Sequence, residues 1–204
     1  LGDSRSDGLR LYSGIRGADF LAYKSLMVFQ VTGTGGVDAK AIPKNGVGDK
    51  KTALAWLEEK QYGKVYVMFG INELGYGDDQ AFQDAFALLI DEIRVRQPEA
   101  VIYIQSLIPV EPEKAHQMNP AAWLNNENVA NYNAPLRRVC ADKRAVYVAV
   151  QSVMADDSGT LPAESTTDGI HFTRSWYEKW YGYLKTHTVD PEAYRAGQGQ
   201  AEGT

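Results

Sequence analysis

Apolar and polar positions along the chain form two alternating patterns, one typical of strands and one of helices. Four short runs rich in Val, Ile, Phe and Tyr predict strands buried on both faces. These runs are residues 26–32, 64–69, 101–107 and 145–150. Between them, apolar residues recur at helical spacing, most clearly over Asp79–Arg96, before Pro98 stops the helix. Strands that alternate with helices pair in parallel through right-handed crossovers, so the pattern predicts a three-layer α/β sandwich.

The remaining segments complete this prediction. Residues 52–59 and 173–187 carry amphipathic helical patterns. Residues 125–141 are also helical in pattern, but Pro135 requires either a helix that begins near Asn133 or a kink. Residues 33–48 are rich in glycine and poor in apolar side chains, which predicts a loop. This loop should lie at a carboxyl end of the sheet, where sites form in such folds.

The size of the chain favours one domain. With 204 residues, of which 44% are apolar, two smaller domains would each struggle to bury a core. We expect residues 1–190 to form this domain and residues 191–204 to form a C-terminal tail, frayed over its Gly-rich end at 196–204.

Composition excludes several classes of partner and site. The net charge of −5, without a dense run of Lys or Arg, argues against nucleic acid as a partner. No run of apolar residues is long enough to cross a membrane. The single cysteine, Cys140, cannot form an internal disulfide and is expected in the core. The oligomeric state is left open.

A serine nucleophile and its base are the first chemistry that the residues suggest. Serine attacks a carbonyl only when a neighbouring base removes its proton, and the base needs a partner that orients it. Of the three histidines, His171 is the best placed, because Asp168 precedes it across a turn at Gly169. Ser4, in Gly2-Asp3-Ser4, is then the candidate nucleophile, although a helix cap explains this tripeptide equally well when it is taken alone.

Two further segments carry groups that could stabilise an oxyanion. Asn72, in Gly70-Ile71-Asn72-Glu73, follows a predicted strand, so its amide would lie at a carboxyl end of the sheet. Gly33-Thr34-Gly35-Gly36 also follows a predicted strand, and its backbone N–H groups could approach a substrate closely. Taken alone, each segment is also explained as an ordinary turn.

In this order, the four segments resemble the sequence blocks of the SGNH/GDSL hydrolase family of esterases and lipases. The resemblance implies a flavodoxin-like sandwich with a mainly parallel sheet of about five strands. It also implies that Ser4 attacks an acyl carbonyl, His171 transfers the proton and Asp168 orients His171. The implied oxyanion donors are the Ser4 backbone, the Asn72 side chain and the Gly36 backbone. Asp3, Gly35 and Glu73 are implied as supporting residues.

This chain departs from the family pattern at three points. The second block usually opens with an Asn that is absent here, so Gly35 could take the role given to Gly36. Glu73 replaces the usual Asp. A core strand usually precedes the Gly-Asp-Ser motif, so we expect residues upstream of Leu1, or another segment in that position, since a missing inner strand would leave buried edges unpaired.

The expected substrate is a small-molecule or glycan ester with a short acyl group, cleaved through an acyl-enzyme without a cofactor. No metal site is expected, because the histidines are scattered and Asp156-Asp157-Ser158-Gly159 lacks the alternating ligands of a calcium loop. In the polar segment 111–124, Trp123 offers either a surface for stacking a sugar or an anchor for the loop. An O-acyltransferase and a non-catalytic carbohydrate-binding module are the alternatives. The resemblance suggests an extracellular or cell-envelope location.

Overall fold

A parallel sheet lies at the centre of the structure, a computed structural model that describes residues 1–75 and 79–199. The strands, in chain order, are β1 (Ala41–Pro43), β2 (Lys50–Thr52), β3 (Lys64–Val67), β4 (Val101–Gln105) and β5 (Val146–Val148). The helices are α1 (Ser4–Tyr12), α2 (Val28–Thr32), α3 (Ala53–Leu57), α4 (Asp79–Arg96), α5 (Pro112–Met118), α6 (Asn126–Asp142), α7 (Gln151–Met154), α8 (Arg174–Thr186) and α9 (Pro191–Gly199).

Strands β3, β4 and β5 pair in parallel in that order. They confirm three of the four predicted strands, those within residues 64–69, 101–107 and 145–150. Gly2 extends the parallel arrangement, because it forms bridges with Ala22 on one side and with Met68, just beyond β3, on the other. The parallel order thus passes through five segments of the chain. Leu1 and Gly2 therefore lie at an inner position of the sheet.

Apolar side chains cover both faces of the sheet and form two cores. In β4, Ile102 and Ile104 belong to one core, whereas Val101 and Tyr103 belong to the other. This division follows from the twofold alternation of side chains along a strand. Helices α2, α3, α4 and α6 pack together on the first side, and α1, α7 and α8 on the second. The predicted three-layer α/β sandwich is confirmed.

The predicted strand at residues 26–32 is wrong, because Val28–Thr32 forms α2. Val28, Phe29 and Val31 are all buried in this single short helix, so the helical period does not show in the sequence. The loop predicted at residues 33–48 also needs correction. It contains β1, which pairs antiparallel with β2.

The long helices agree closely with the prediction. Helix α4 has the predicted bounds, Asp79–Arg96. Helix α6 is one helix that includes Pro135 and is capped at its start by the Asn125 side chain, so the late start near Asn133 is wrong. Cys140 is buried in this helix, as predicted.

The end of the described chain is helical. Residues Pro191–Gly199 form α9, and the Tyr194 hydroxyl accepts a hydrogen bond from the Ile102 backbone. The fraying expected over residues 196–204 is therefore not seen at 196–199, and residues 200–204 lie outside the described part of the chain. The domain boundary placed after residue 190 stays a prediction.

Candidate active site

Ser4 lies where the chain leaves the sheet and enters α1. The Asp3 side chain caps the helix by accepting a hydrogen bond from the Arg5 backbone at 2.8 Å, so Ser4 is the first residue of the helix. A side chain at Gly2 would lie 2.1 Å from Ser6 Oγ and 2.6 Å from the Met68 carbonyl oxygen. Glycine at position 2 therefore allows the close strand contact that precedes Ser4.

The structure brings Ser4, His171 and Asp168 together, although Ser4 and His171 are 167 residues apart in sequence. His171 Nε2 lies 2.8 Å from Ser4 Oγ, and His171 Nδ1 lies 2.7 Å from Asp168 Oδ2. When Nδ1 carries the proton and donates to Asp168, Nε2 is free to accept the serine proton. This geometry suits nucleophilic attack by the serine hydroxyl.

The loop that carries His171 is organised by Asp168. Besides the imidazole, its carboxylate accepts hydrogen bonds from the backbones of Ile170 at 2.9 Å and His171 at 2.7 Å. Gly169 has a φ of 81°, and a Cβ there would lie 2.2 Å from the Ala115 backbone nitrogen. Only glycine fits this turn without displacing α5.

Asp168 is held in its ionised form. Partial burial opposes ionisation, but hydrogen bonds from the His171 side chain and from the His171 and Ile170 backbones outweigh it, and the pKa of Asp168 lies well below its usual value. A negative charge beside Nδ1 stabilises the imidazolium that forms when His171 takes a proton.

Asn72 lies in the turn after β3, at the same end of the sheet as Ser4. This placement follows because Gly2 pairs in parallel with Met68, and Ser4 and Asn72 come shortly after these partners. The Asn72 side-chain amide donates a hydrogen bond to the Leu26 carbonyl oxygen at 3.2 Å. The turn is thereby joined to the segment that leads into α2.

Glu73 forms a second contact between the turn after β3 and the segment at α2. Its carboxyl is fully buried and accepts a hydrogen bond from the Val28 backbone at the start of α2. Its second oxygen has no partner within the described residues. Burial first, and then the nearby charge of Asp3, raise the pKa of Glu73 to about 8, despite the backbone hydrogen bond from Val28. Glu73 is therefore largely protonated at neutral pH.

Gly35 and Gly36, expected near the oxyanion, lie in the turn after α2 and are exposed. A Cβ at Gly36 would meet no atom within 4 Å. The prediction rested on a strand immediately before these glycines, and this premise is wrong because that segment is helical. The segment that Asn72 contacts lies before α2 and includes Ser25, whose φ is 56°.

Among the described residues, the other two histidines form no hydrogen bond with Ser4, Asp168 or His171. His116 is exposed on α5, and His187 stacks on Tyr183 at the end of α8. Within residues 1–75 and 79–199, no three His, Cys, Asp or Glu side chains gather as a metal-binding group. No helix in these ranges combines the length and apolar character needed to cross a bilayer.

A cavity of about 520 Å³ opens beside Ser4 and His171. Its wall is formed by α1 and the region from residue 167 to the start of α8. Polar and aromatic groups line it, among them Asp7, Tyr12, Thr167 and Arg174. Tyr12 is 43% exposed, and the centre of its ring lies 5.6 Å from the centre of the Tyr177 ring.

Sequence reasoning missed two residues of this region. Arg5 is buried directly after Ser4, and only its place beside the predicted nucleophile could have drawn attention to it. Ser25 adopts a left-handed conformation that is uncommon for a residue other than glycine, and no local signal in the sequence indicates it.

Serine hydrolases use a serine, a histidine and an aspartate hydrogen-bonded in series, and the structure places these three residue types in that order on an α/β sandwich. The sequence profile of the GDSL-like Lipase/Acylhydrolase family matches residues 1–179. The chain belongs to this family, and it is a carboxylic ester hydrolase. No match is found among curated proteins.

Solved structures share the fold. A protein of Streptococcus pneumonia, provisionally assigned as a platelet activating factor, is 20% identical and superposes with a TM-score of 0.69, over 91% of this chain and 80% of that one. A carbohydrate esterase of family 3 from Talaromyces cellulolyticus is 11% identical, with a TM-score of 0.60 over 91% and 92% of the two chains. An acetyl esterase mutant with an acetate ion is 10% identical, with a TM-score of 0.59 over the same shares. At these identities, the likeness establishes the fold alone.

Proposed function

We propose that the chain removes short acyl groups, such as acetyl, from a polar or carbohydrate alcohol through an acyl-enzyme on Ser4. In this mechanism His171 takes the serine proton as Ser4 attacks the carbonyl carbon, and then gives it to the leaving alcohol. Water, deprotonated by His171, next attacks the acyl carbon, the bond to Ser4 Oγ breaks as His171 returns the proton to that oxygen, and the acid is released. Asp168 holds the imidazole in the required tautomer and stabilises its cation.

One observation carries the proposal: the hydrogen-bonded series from Asp168 through His171 to Ser4, with both distances below 3 Å. A purely structural role for Ser4, His171 and Asp168 would not explain why all three side chains meet beside a cavity. The ionised state of Asp168 adds to this support, because it matches the charge that an imidazolium needs.

The oxyanion is proposed to bind the backbone N–H of Ser4 and the amide of Asn72, with a third donor from the segment before α2. Gly36 was the donor expected from the sequence, but the Asn72 contact favours the backbone N–H of Ser25. Within the described residues, this N–H has no hydrogen-bond partner. Ser25 also lies between two residues that contact the proposed donor segments. The Tyr23 backbone donates to the Gly2 carbonyl oxygen, just before Ser4, and the Leu26 carbonyl oxygen accepts from Asn72.

The leaving alcohol is proposed to occupy the cavity beside His171, since His171 must reach its oxygen with a proton. The polar groups of this cavity suit a hydroxylated alcohol, and the exposed face of Tyr12 suits a sugar ring. Trp123, 38% exposed, packs against Gly75 in the turn that carries Asn72 and offers a second aromatic surface. Two structures with this fold are named as an acetyl esterase and a carbohydrate esterase, and these names match the proposed class of substrate.

Rates on p-nitrophenyl esters from acetate to longer acyl chains test the acyl preference. We expect kcat/KM to be highest for acetate or propionate and to fall for longer chains. A preference for the longest chain would contradict the short-acyl proposal. Product analysis with acetylated and free sugars together tests hydrolysis against acyl transfer: release of acetate supports an esterase, whereas acetyl transfer to the free sugar would make the chain an acyltransferase.

A further inference from the structure

Arg5 is a buried cation immediately after the proposed nucleophile. Its side chain belongs to the first turn of α1, and the residue is 1% exposed. Arginine is almost never buried without partners, because removing its charge from water is costly. The partners of Arg5 therefore indicate what its burial achieves.

Arg5 binds two segments that are distant from it in sequence. Its Nε donates to the Ile170 carbonyl oxygen at 2.9 Å, and its Nη1 and Nη2 donate to the carbonyl oxygens of Ile108 and Pro109 at 2.5 Å and 3.3 Å. The guanidinium also lies 5.2 Å from the centre of the Phe172 ring. Arg5 thus contacts the residues on both sides of His171.

The charges around Arg5 explain why it can stay buried. Burial lowers the pKa of Arg5 to about 10, against the opposing effects of Asp3, Tyr177 and Asp168, so the side chain is charged at neutral pH. Asp3 is also buried, and its second carboxyl oxygen has no hydrogen-bond partner among the described residues. The Arg5 charge therefore partly offsets the cost of burying Asp3 beside Ser4.

We propose that Arg5 is a positioning residue that sets the distance between Ser4 and His171. It belongs to the same helical turn as Ser4, and its planar fork holds the backbone directly before His171. The guanidinium is also held by the carbonyl oxygens of residues 108–109. This segment contacts the His171 loop in turn, because the Glu111 backbone donates to the Gly169 carbonyl oxygen at 3.0 Å. This proposal rests on the proposed roles of Ser4 and His171.

Two substitutions test the positioning role. Arg5→Lys keeps the charge but loses the fork, and Arg5→Met keeps much of the apolar stem but loses charge and donors. We expect kcat on p-nitrophenyl acetate to fall between about 10-fold and 100-fold in both variants, with KM changed by less than about 3-fold, because a misplaced base slows chemistry more than binding. Arg94→Met is the matched control, since Arg94 also donates to a distant backbone carbonyl, that of Lys143, but lies in the last turn of α4, shortly before β4 begins at the end of the sheet opposite the site.

A spectroscopic measurement separates positioning from general stability. The proton between His171 Nδ1 and Asp168 should resonate far downfield in the proton NMR spectrum, because the hydrogen bond is short and charge-assisted. We expect this resonance to shift or broaden in Arg5→Lys and Arg5→Met and to stay unchanged in Arg94→Met, at temperatures where circular dichroism shows all proteins folded. Should Arg5→Met fail to fold, Arg5→Lys provides the same test.

The outcomes distinguish the two proposals. Wild-type resonance and wild-type kcat in a folded Arg5→Lys variant would overturn the positioning role. A loss of kcat equal in Arg94→Met and Arg5→Lys would overturn it as well, because the effect would then be general. If the wild-type protein cleaves no ester, the proposed function fails, and the resonance alone still decides whether Arg5 positions His171.

Discussion

The two turns at the proposed site both carry a buried or partly buried carboxyl group, yet they hold it in opposite states. In the loop before α8, Asp168 uses both oxygens as acceptors, and its pKa is lowered. In the turn after β3, Glu73 is fully buried with one oxygen unpaired, and its pKa is raised to about 8. The number of hydrogen bonds to the charged form, set against burial, decides the difference.

This contrast matches the task of each turn. A charged Asp168 can stabilise a histidine cation. A neutral Glu73 can accept the hydrogen bond from the start of α2 without placing a negative charge near a developing oxyanion. The proposed mechanism therefore uses an ionised carboxyl group at Asp168 and a neutral one at Glu73.

The largest effect is expected when the charge of Asp168 is removed. In Asp168→Asn, the side-chain oxygen can still accept from the Ile170 and His171 backbones, but the amide nitrogen faces His171 Nδ1 and donates to it. The imidazole proton then moves to Nε2, which can no longer accept from Ser4. We expect kcat to fall about 10⁴-fold with little change in thermal stability. Steady-state kinetics and thermal unfolding would show it, and a loss below about tenfold would remove Asp168 from the proposed role.

A smaller effect is expected in the turn after β3. In Asn72→Ala, the Ser4, His171 and Asp168 geometry is kept, but one oxyanion donor is lost, so turnover should fall by about two to three orders of magnitude. Labelling of Ser4 by a fluorophosphonate should remain detectable. An unchanged turnover would show that Asn72 serves only to hold Leu26.

The state of Glu73 should appear in the pH dependence of stability. An unfolded chain ionises Glu73 near pH 4.5, but the folded chain keeps it protonated to about pH 8. The unfolded state then binds fewer protons than the folded state, so the free energy of unfolding should fall as pH rises from about 4.5 to 8. Between pH 5 and pH 7, Glu73→Gln should remove about 2 to 3 kcal/mol of this fall.

Urea unfolding at pH 5 and pH 7 measures this difference, with Glu178→Gln, an exposed change on α8, as the control. Equal pH dependence in the wild-type protein and in Glu73→Gln would mean that Glu73 is ionised in the folded state. The contrast with Asp168 would then be lost.

The smallest effect distinguishes Ser25 from Gly36 as the third oxyanion donor. Both residues have positive φ, so valine is strained at either position. We expect Ser25→Val to lower kcat about tenfold, whereas Gly36→Val changes it by less than about 2-fold, because only the first change displaces the segment bound to Asn72. The reverse ranking in steady-state assays would restore Gly36 to the proposed site.

The sequence predicted those parts of the fold that depend on local pattern. The long amphipathic helix α4 has a clear helical period and was predicted with its observed bounds. The contact between Asp168 and His171 was predictable because both lie in one turn at Gly169. The approach of Ser4 to this pair was expected from the order of the sequence blocks.

The errors arose where distant contacts decide local structure. Helix α2 begins where Glu73, 45 residues away, accepts from the Val28 backbone. Locally the Gln30 side chain accepts from the Met27 backbone, but Met27 is not one of the Ser, Thr, Asp or Asn residues that usually mark a helix start. Reading that segment as a strand shifted the expected oxyanion block to Gly36. Arg5 was missed for the same reason, since its partners lie more than 100 residues along the chain.

Reaction with a fluorophosphonate, followed by mass spectrometry of the intact protein and its peptides, tests the nucleophile most directly. We predict that the wild-type protein gains one phosphonyl group, that the modified peptide contains Ser4, and that Ser4→Ala gains none. Modification at another residue, or a folded wild-type protein that does not react, would contradict the assignment of Ser4.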